Sequence, residues 1–410
     1  MNRYRILVAH NAYLQKGGED TVVEAETEML AQRGHPVKVF ARTNQAIRSM
    51  SRSSLVAQTV WSSSSSAELL QLLRDFKPDV VHVHNTFPLL SPSIYWAAAR
   101  HRLPLVQTLH NFRLLCPQAM FLRQGRVCED CLGRLPWRGI LRKCYRDSVA
   151  QSAVLTSMLG VHRLIGSYQD KVTRYIALNE FCRGKFIEGG LPANKILIKP
   201  NFVDWESSPV LGSDPAQRSH PTRLLYVGRL SPEKGINVLV DAVRQLGGIE
   251  LRVAGTGPEA DRLENENGLK ALGALPPENV RTEMTQALAL VMPSLWYENF
   301  PRTLVEAFAC GLPVIGSRLG ALAELIEEGR TGLLFEPGNA ADLAEKIRWA
   351  LANPNAMRTM GKAARAEYEA KYTAERNYQQ LMAIYAEAIA EAKCRLDAYV
   401  PTANFFNRGK

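Results

Sequence analysis

The strongest constraint on the fold of this chain is a repeated order of short apolar runs and amphipathic helical stretches. Strands and helices that alternate at such spacings indicate a parallel, doubly wound sheet, which binds ligands at the carboxyl ends of its strands. The sequence therefore predicts an α/β fold. Four runs of the first half are predicted as buried strands: Arg5–Ala9, Pro36–Phe40, Val80–His84 and Pro104–Thr108.

The same order begins again at Arg223–Val227, after a segment of different composition. Residues Pro200–Asp214, PNFVDWESSPVLGSD, are rich in Pro, Ser and Asp, which is typical of a linker. We therefore predict two Rossmann-like, doubly wound domains, at residues 1–200 and 201–372, followed by a long helix and a tail at residues 373–410.

Length and composition are those of an ordinary globular protein. The chain has 410 residues, of which 46% are hydrophobic and 22% charged, and this length allows two or three domains. No apolar stretch reaches the roughly 18 residues that span a bilayer, and the N-terminus lacks the apolar core of a signal peptide. We therefore expect a cytoplasmic protein.

The net charge of +10 is shared unevenly between the two halves. Residues 1–200 contain 27 Lys and Arg against 14 Asp and Glu, whereas residues 201–410 contain 23 against 26. A basic domain joined to a near-neutral one predicts an anionic partner for the first domain, such as a membrane surface, a lipid diphosphate or a nucleic acid. A charge that serves only solubility is the alternative.

The stretch Ser294–Glu306, SLWYENFPRTLVE, follows an apolar run and leads into a helix predicted at Arg302–Ala309. Glu298 would lie on the loop at the end of the strand, and Glu306 a little over one turn into the helix. The backbone amides at the helix start favour an anion. This arrangement suits a nucleotide sugar, although an ordinary strand–loop–helix junction with a solvated Glu298 fits the same residues.

A second phosphate-binding candidate is Gly228–Gly235, GRLSPEKG, which directly follows a predicted strand. Arg229 and Lys234 flank a tight turn that begins at Gly228. Two cations near a helix start can neutralise a diphosphate as its charge grows during departure of a leaving group. A turn with solvated basic side chains is the alternative.

Two glycine pairs are further candidates for contact with a nucleotide. Gly17 and Gly18 lie between the first strand and a helix, a junction that favours phosphate but lacks the G-x-G-x-x-G pattern of dinucleotide sites. Gly255 and Gly257 form a loop after another strand, where the absence of side chains allows a ligand to approach the backbone. For the first pair, glycines that simply make a turn are an equal alternative.

His110 ends the strand in LVQTLHN, where a histidine can contact a sugar hydroxyl or orient a phosphate. A core histidine bonded to the backbone is the alternative. His82 and His84 alternate along a buried strand, and we predict that both are structural.

Four cysteines, Cys116, Cys128, Cys131 and Cys144, form the pattern C-x11-C-x2-C-x12-C. One C-x2-C pair with two flanking cysteines is enough for a structural zinc site of four thiolates. Disulfides are disfavoured in a cytosol, and free core thiols remain the main alternative.

These cysteines belong to a basic insertion at about residues 112–147. From Arg100 to Arg146 the chain has ten Lys and Arg against Glu129 and Asp130. Cations among apolar side chains favour an anionic membrane surface, with nucleic acid as the alternative. The apolar residues in question are Phe112, Met120, Phe121, Leu122, Leu135, Trp137, Ile140 and Leu141. We expect this insertion to be poor in core residues; a small core formed by some of these aromatic side chains is the alternative.

The two glutamates, E-x7-E with Phe-Pro between them, resemble the donor-site signature of retaining glycosyltransferases of family 4. That family has the GT-B fold, in which two Rossmann-like domains face each other across a cleft. The resemblance covers nearly the whole chain, and the cysteines indicate a subgroup with a Cys-rich insertion. It implies that the last helix crosses back to the first domain.

The resemblance also implies roles for individual residues. Glu298 would contact the donor sugar and Glu306 the ribose, while Arg229 and Lys234 bind the nucleotide's phosphates. His110 would contact the transferred sugar. The remaining donor contacts would come from the loop residues Asn299, Phe300 and Pro301, and from Gly17, Gly18, Gly228, Gly255 and Gly257.

The sequence thus predicts a retaining glycosyltransferase that acts on a glycan or a polyprenyl-diphosphate-linked acceptor in cell-surface or exopolysaccharide synthesis, peripheral at the inner face of a membrane. No catalytic metal is expected, because the chain has no Asp-x-Asp motif. A nucleotide-sugar epimerase on the same fold is one alternative. A zinc-bearing, basic nucleic-acid-binding protein is another, although the intact basic and acidic site residues argue against nucleic acid as a partner.

Overall fold

The computed structural model describes residues 3–14, 17–204, 222–263 and 266–397, with the side chains of 395–397 excluded. Within these ranges the chain forms two six-stranded parallel sheets, one in each half. The predicted α/β class with two doubly wound sheets is therefore confirmed. Residues 205–214 of the expected linker and residues 398–410 of the expected tail lie outside the described residues.

The first sheet has the strand order β2-β1-β3-β4-β7-β8, and β5 and β6 form a separate antiparallel pair. The strands of this half are β1 (Ile6–Ala12), β2 (Val37–Thr43), β3 (Val80–Asn85), β4 (Leu105–Thr108), β5 (Leu122–Arg123), β6 (Arg126–Val127), β7 (Arg174–Ala177) and β8 (Ile196–Ile198). Its helices are α1 (Gly18–Gln32), α2 (Arg52–Val60), α3 (Ser63–Phe76), α4 (Ser93–Arg100), α5 (Arg138–Leu141), α6 (Val149–Leu164), α7 (Ser167–Asp170) and α8 (Glu180–Glu188).

The second sheet has the order β11-β10-β9-β12-β13-β14. Its strands are β9 (Arg223–Val227), β10 (Glu250–Ala254), β11 (Leu269–Gly273), β12 (Ala289–Met292), β13 (Val314–Ser317) and β14 (Gly332–Phe335). The helices of this half are α9 (Ile236–Arg244), α10 (Pro277–Gln286), α11 (Arg302–Ala309), α12 (Gly320–Leu325), α13 (Ala340–Ala352), α14 (Pro354–Lys371) and α15 (Ala374–Asp397).

Burial explains why these segments form central strands. Every residue of β3 and of β12 is buried, as expected for parallel strands covered by helices on both faces. In the second sheet the strand order reverses between β9 and β12, and in the first it reverses between β1 and β3. Loops that leave such reversal points at the carboxyl ends diverge and leave a crevice, which is where ligands bind in this class of sheet.

Helix α15 packs on the first domain, against α1, β3 and β4. The Tyr385 hydroxyl lies 2.7 Å from Nδ1 of His82, and Asn377 Nδ2 donates to the carbonyl oxygen of Pro200 at 2.7 Å. Hydrogen bonds as well as apolar contacts therefore hold the C-terminal helix against the first domain.

The polar, serine-rich residues 48–66 predict a loop followed by a helix start. The structure confirms the helix start, at Ser63 of α3, but the loop was wrong, because α2 occupies Arg52–Val60. The side chain of Ser51 accepts a hydrogen bond from the Ser54 amide at 3.2 Å, and that of Ser62 accepts one from the Ser65 amide at 3.3 Å. Because serines cap helix starts well, this serine-rich stretch marks two helix starts rather than a loop.

The insertion also contributes more to the core than we expected. Phe112, Leu115 and Phe121 are buried in the main core of the first domain, and the Phe112 ring lies 5.5 Å from that of Phe186 on α8. Phe112 and Phe121 therefore do not belong to an exposed apolar surface. In the described residues, no helix is both long and apolar enough to cross a bilayer.

Candidate active site

The loop between β12 and α11 holds Glu298 in a single position. This side chain is only 5% exposed. Its Oε1 atom accepts hydrogen bonds from Ser294 Oγ at 2.7 Å, from Trp296 Nε1 at 3.0 Å and from Lys234 Nζ at 2.7 Å. Three donors, one of them charged, fix the orientation of a carboxylate at the carboxyl end of the second sheet.

Lys234 reaches Glu298 because the turn after β9 lies directly against the end of β12. Gly235 has a φ of +75°, and a Cβ atom there would lie 1.8 Å from the carbonyl oxygen of Pro293. Only glycine permits both this backbone conformation and this close approach. The contact between these two loops thus brings together Lys234 and Glu298, two predicted site residues that are 64 positions apart.

The glycine loop after β10 packs against the same turn. A Cβ atom on Gly257, which has a φ of +158°, would lie 2.2 Å from the carbonyl oxygen of Leu230, and one on Gly255 would lie 1.9 Å from that of Gly228. In this structure, what approaches these two glycines is therefore the neighbouring loop backbone. The glycines shape the crevice through contact between loops.

Arg229 lies at the mouth of the crevice, with 63% of its side chain exposed. It pairs with Glu233, which also accepts a hydrogen bond from Ser231 Oγ at 2.7 Å. Burial opposes ionisation of Glu233, but the Ser231 hydrogen bond and the Arg229 charge together lower its pKa. The guanidinium is thus a largely solvated cation tethered by a neighbouring carboxylate.

The remaining predicted donor residues lie on or before α11. Burial raises the pKa of Glu306, and its Oε1 lies 3.3 Å from Arg302 Nη2. Phe300 is 7% exposed and packs against Tyr372, with the ring centroids 5.7 Å apart. The Phe300 side chain therefore belongs to the core. A ligand would instead contact the backbone near Pro301 and the first turn of α11, where the amides have no partner within the helix.

In the first domain, His110 is bonded to a buried network of polar side chains. Its Nε2 lies 2.9 Å from Nδ1 of His84, and Nε2 of His84 lies 3.5 Å from Glu26 Oε1. Glu26 Oε2 in turn pairs with Lys199 Nζ at 2.8 Å. Burial lowers the pKa of His110 to about 3, so the imidazole is neutral at physiological pH.

His84 was predicted to be structural, and its ring lies within hydrogen-bond distance of His110, which sequence reasoning did not foresee. No sequence signal distinguished it from its neighbour His82. The latter is bonded to Tyr385 and, through Nε2, to Thr108 Oγ1 at 2.8 Å, which agrees with a structural role. Contact between strands β3 and β4 decides which histidine reaches the cleft.

Glu26, His82 and His84 are also the one group in the described residues whose candidate metal-binding atoms all lie within 4.8 Å. Lys199 already supplies a positive charge there. Burial alone would raise the pKa of Glu26, but the Lys199 charge and a hydrogen bond with His82 hold it well below its usual range. The cluster is thus internally neutralised.

Gly17 and Gly18 lie at the start of α1. The Gly17 amide donates to Asp20 Oδ2 at 2.8 Å, which closes the start of α1. The adjacent Glu19 accepts hydrogen bonds from Tyr13 at 2.9 Å and from Asn111 Nδ2 at 3.4 Å. Burial raises the pKa of Glu19 to about 8. This acid was missed by sequence reasoning, although its position after a glycine pair was a usable signal.

The two domains meet where these groups lie. Asn299 Nδ2 donates to the carbonyl oxygen of Leu109 at 3.4 Å, and the Asn299 carbonyl accepts a hydrogen bond from Asn179. The residue after Glu298 is therefore bonded to the residue before His110. The loop that holds Glu298 and the strand end that leads to His110 are consequently in contact across the boundary between the two domains.

The four predicted metal-binding cysteines also come together. Cys116, Cys128, Cys131 and Cys144 line one small cavity within the insertion. All four are free thiols in the structure. Burial and the neighbouring sulfurs raise the pKa of Cys131 to about 11.

Two family models match the chain and together cover most of it. A glycosyl transferase 4-like domain matches residues 17–201, and glycosyl transferases group 1 matches residues 213–367. An uncharacterized glycosyltransferase of Methanocaldococcus jannaschii is 32% identical over 40% of this chain and 47% of its own length. A glycogen synthase of Mycobacterium tuberculosis is 27% identical over 78% of this chain and 70% of its own length. The chain therefore spans less than half of the first of these relatives.

Solved structures share the arrangement of both domains. Anabaena HepE in complex with UDP gives a TM-score of 0.67 at 20% identity, over 94% of this chain and 100% of its own. Sucrose-phosphate synthase of Thermosynechococcus elongatus gives 0.70 at 20% identity, over 95% and 100%. At this identity the likeness establishes the fold, and it confirms the predicted two-domain architecture.

Proposed function

Because the chain belongs to the glycosyltransferases of the GT-B fold, we propose that it is a retaining enzyme of family 4 that transfers a sugar from a nucleotide sugar. The observation that carries this proposal is the hydrogen bond between Asn299 and Leu109, which joins the Glu298–Lys234 pair to the strand end that bears His110. A donor carboxylate, a phosphate-binding cation and a sugar-binding histidine then border one reaction space.

The donor diphosphate would bind at the first turn of α11, close to Lys234 and Arg229. A phosphate oxygen competes with Glu298 for the Lys234 ammonium, which frees the carboxylate for the sugar hydroxyls. Glu306 would accept hydrogen bonds from the ribose. As the bond to phosphate breaks, the two cations stabilise the charge that develops on the leaving group.

Retention of configuration follows from attack on the face that the phosphate leaves. The bond between the anomeric carbon and the phosphate oxygen breaks, and a bond to the acceptor oxygen forms on that same face. The acceptor hydroxyl proton passes to the departing phosphate. This route needs no second carboxylate as a nucleophile, in contrast to retaining hydrolases.

His110 would act as a neutral hydrogen-bonding group rather than as a cation, because its pKa is lowered to about 3 by burial. The complexes of Anabaena HepE with UDP and with UDP-glucose support a nucleoside-diphosphate sugar as the donor class. We assign the acceptor to the first domain, as a glycan or a polyprenyl-diphosphate-linked glycan.

An exposed apolar surface supports a membrane-bound acceptor. Helices α2, α5 and α6 pack together, and Arg134, Lys143 and Arg146 are exposed next to them. Apolar side chains with interleaved cations favour an anionic membrane surface. The exposed apolar residues are Val56, Leu135, Trp137, Leu141, Val161 and Leu164. We infer peripheral binding at the inner face of a membrane, in cell-surface or exopolysaccharide synthesis.

The membrane proposal is tested with vesicles that contain or lack an anionic lipid. We expect the protein to sediment with the anionic vesicles only, and the double variant Trp137→Asp and Leu141→Asp to remain in solution. Trp349→Asp, which changes an exposed tryptophan on α13, is the matched control. Equal sedimentation of wild type and double variant would refute this surface as the binding site.

The reaction is tested by supplying UDP-, GDP-, ADP- and TDP-sugars with a lipid-linked acceptor fraction. We expect release of one nucleoside diphosphate only when acceptor is present, and NMR of the product should show the anomeric configuration of the donor. Conversion of the donor to an isomer without acceptor would identify an epimerase. Binding of nucleic acid with a steep salt dependence, and no turnover, would favour a binding protein.

A further inference from the structure

The four cysteines of the insertion surround a space of the size of one ion. They come from four separate positions between 116 and 144, yet they line a single cavity of about 10 Å³. A cavity of this volume holds roughly one water molecule or ion. Sequence spacing alone does not require such convergence.

A cationic hydrogen-bond donor lines the same cavity as the sulfurs. Arg142 Nη1 lies 3.8 Å from Cys128 Sγ, and Gly139 borders the cavity next to these residues. A Cβ atom on Gly139 would lie 2.9 Å from Cγ of Pro117, so a glycine is needed for α5 to approach this turn. A guanidinium placed in this way favours a thiolate over a thiol, and such donors commonly surround the ligands of a bound metal ion.

The insertion also contains an unusual amount of backbone strain for its size. Six of its non-glycine residues have φ between +48° and +68°, in the left-handed region. This conformation is disfavoured for residues that have a Cβ atom, and it persists only where surrounding structure enforces it. Regular structure is sparse there, since β5 and β6 have two residues each and α5 has four. The strained residues are Ala119, Phe121, Gln124, Lys143, Arg146 and Asp147.

We propose that Cys116, Cys128, Cys131 and Cys144 bind one zinc ion as a tetrahedral four-thiolate site that clamps the insertion. Zinc fits because soft thiolate ligands without an open position are those of a structural zinc site. In the described part of the chain no three of these sulfurs lie within 4.8 Å of one another. Zn–S bonds of about 2.3 Å place sulfurs about 3.8 Å apart, so the ion draws them inward and closes the cavity.

The insertion that would bind the zinc ion contacts the loop that carries Glu298. Glu129, which lies between Cys128 and Cys131, pairs with Lys185 of α8 at 2.9 Å, and burial together with the Glu129 carboxylate raises the pKa of Tyr297 to about 12. The Tyr297 ring also packs against Phe121 of the insertion, with the ring centroids 6.3 Å apart. Tyr297 immediately precedes Glu298. We therefore assign Glu129 as a positioning residue that transmits the order of the zinc site to the donor loop. The zinc site itself is independent of the proposed function, whereas the positioning role of Glu129 rests on the proposed function.

The ion is tested on the wild-type protein, purified without chelator. Elemental analysis should give about one zinc per chain. Replacement by cobalt should give the visible absorption and sulfur-to-metal charge transfer of four thiolates in a tetrahedral site. The zinc site is overturned if the purified protein is free of metal and the chelator-treated protein takes up neither zinc nor cobalt. It is overturned equally if non-reducing mass analysis finds these cysteines in disulfides.

Variants separate the zinc ligands from other thiols. Cys131→Ser should lose the metal, and Cys394→Ser, at an exposed cysteine outside the insertion, should keep it. Retention of a full zinc ion by Cys131→Ser would overturn the ligand set. If that variant does not fold, the cobalt spectrum of the wild-type protein decides.

The positioning role is tested with Glu129→Gln. This variant should keep its zinc but bind the nucleoside diphosphate about tenfold more weakly, which is the order of loss seen when a residue that orients a binding group is removed. Unchanged affinity would refute the link to the donor loop while leaving the zinc site intact. Failure of the wild-type protein to bind any nucleoside diphosphate would instead refute the proposed function.

Discussion

The two edges of the cleft differ in how deeply their charged side chains are buried and in how these side chains are paired. On the second-domain edge, the side chains of Lys234 and Arg229 are 24% and 63% exposed, and each is paired with one carboxylate. On the first-domain edge, His84, Glu26 and Lys199 are at most 3% exposed and bonded to one another. A partly exposed ion pair exchanges partners at a low cost in free energy, whereas the groups of a buried network do so only at a high cost.

This difference matches the two tasks that we propose. A cation that binds a diphosphate must leave its resting partner when the donor arrives, so a partly solvated ion pair is suitable. A surface that holds a sugar in one orientation benefits from a neutral and rigid group, and His110 has both properties. The contrast thus predicts functional losses on one edge and stability losses on the other.

The largest effect should follow from Lys234→Ala on the second-domain edge. Removal of the ammonium leaves the leaving group less stabilised, and we expect turnover to fall by about 10³-fold. Glu298 keeps its hydrogen bonds from Ser294 and Trp296, so the loss in the free energy of unfolding should be smaller than that caused by a substitution of Lys199. Lys362→Ala, at an exposed lysine of α14, is the control and should retain full activity. Wild-type turnover in Lys234→Ala would show that this pair is structural only.

On the first-domain edge, Lys199→Met should instead destabilise the protein. The substitution leaves the Glu26 carboxylate buried without its cation, and we expect a loss of about 3 kcal/mol in the free energy of unfolding, measured with denaturant. Arg318→Met, which breaks an exposed pair with Glu328, should cost less than about 1 kcal/mol. Similar losses in both variants would remove the contrast between the two edges.

A smaller effect is expected for Glu306→Gln. This change keeps the shape of the side chain but weakens its hydrogen bonds to a ribose, so turnover at low donor concentration should fall by about 10- to 100-fold. The fall should lie mainly in donor affinity. If the Michaelis constant for the donor does not rise, Glu306 does not contact the nucleotide.

The smallest effect concerns pH. Burial lowers the pKa of His110 from its ordinary 6.5 to about 3, so the unfolded chain binds a proton in this interval that the folded chain excludes. The contribution of His110 to stability is therefore complete above pH 6.5 and is lost as the pH falls toward 3. In His110→Asn, unfolding free energies at pH 7 and pH 5 should differ less than in the wild type. An equal difference would contradict the lowered pKa.

The sequence predicted the elements of this fold well, because buried parallel strands are short apolar runs that glycine and proline delimit. The predicted helix Arg302–Ala309 has the same limits in the structure. The loop position of Glu298 also followed directly from the apolar run before it. Local patterns were sufficient wherever a single segment determined the outcome.

Long-range contacts were not predictable in this way. Glu26 and Lys199 are 173 positions apart, and their pairing depends on how α1 and the end of the first sheet meet. The contact between His84 and His110 depends on the register of two strands. Serine-capped α2 was missed for a different reason, since serines at helix starts and in loops have the same composition.

The most direct test of the central claim is calorimetry of UDP, GDP, ADP and TDP with the wild-type protein, Lys234→Ala and Lys362→Ala. Our account predicts that one diphosphate binds to the wild type and to Lys362→Ala with equal affinity. It should bind to Lys234→Ala at least about tenfold more weakly, because a charged hydrogen bond to phosphate is lost. Equal affinity of all three proteins, or no binding to any of them, would contradict a donor site at the Glu298–Lys234 pair.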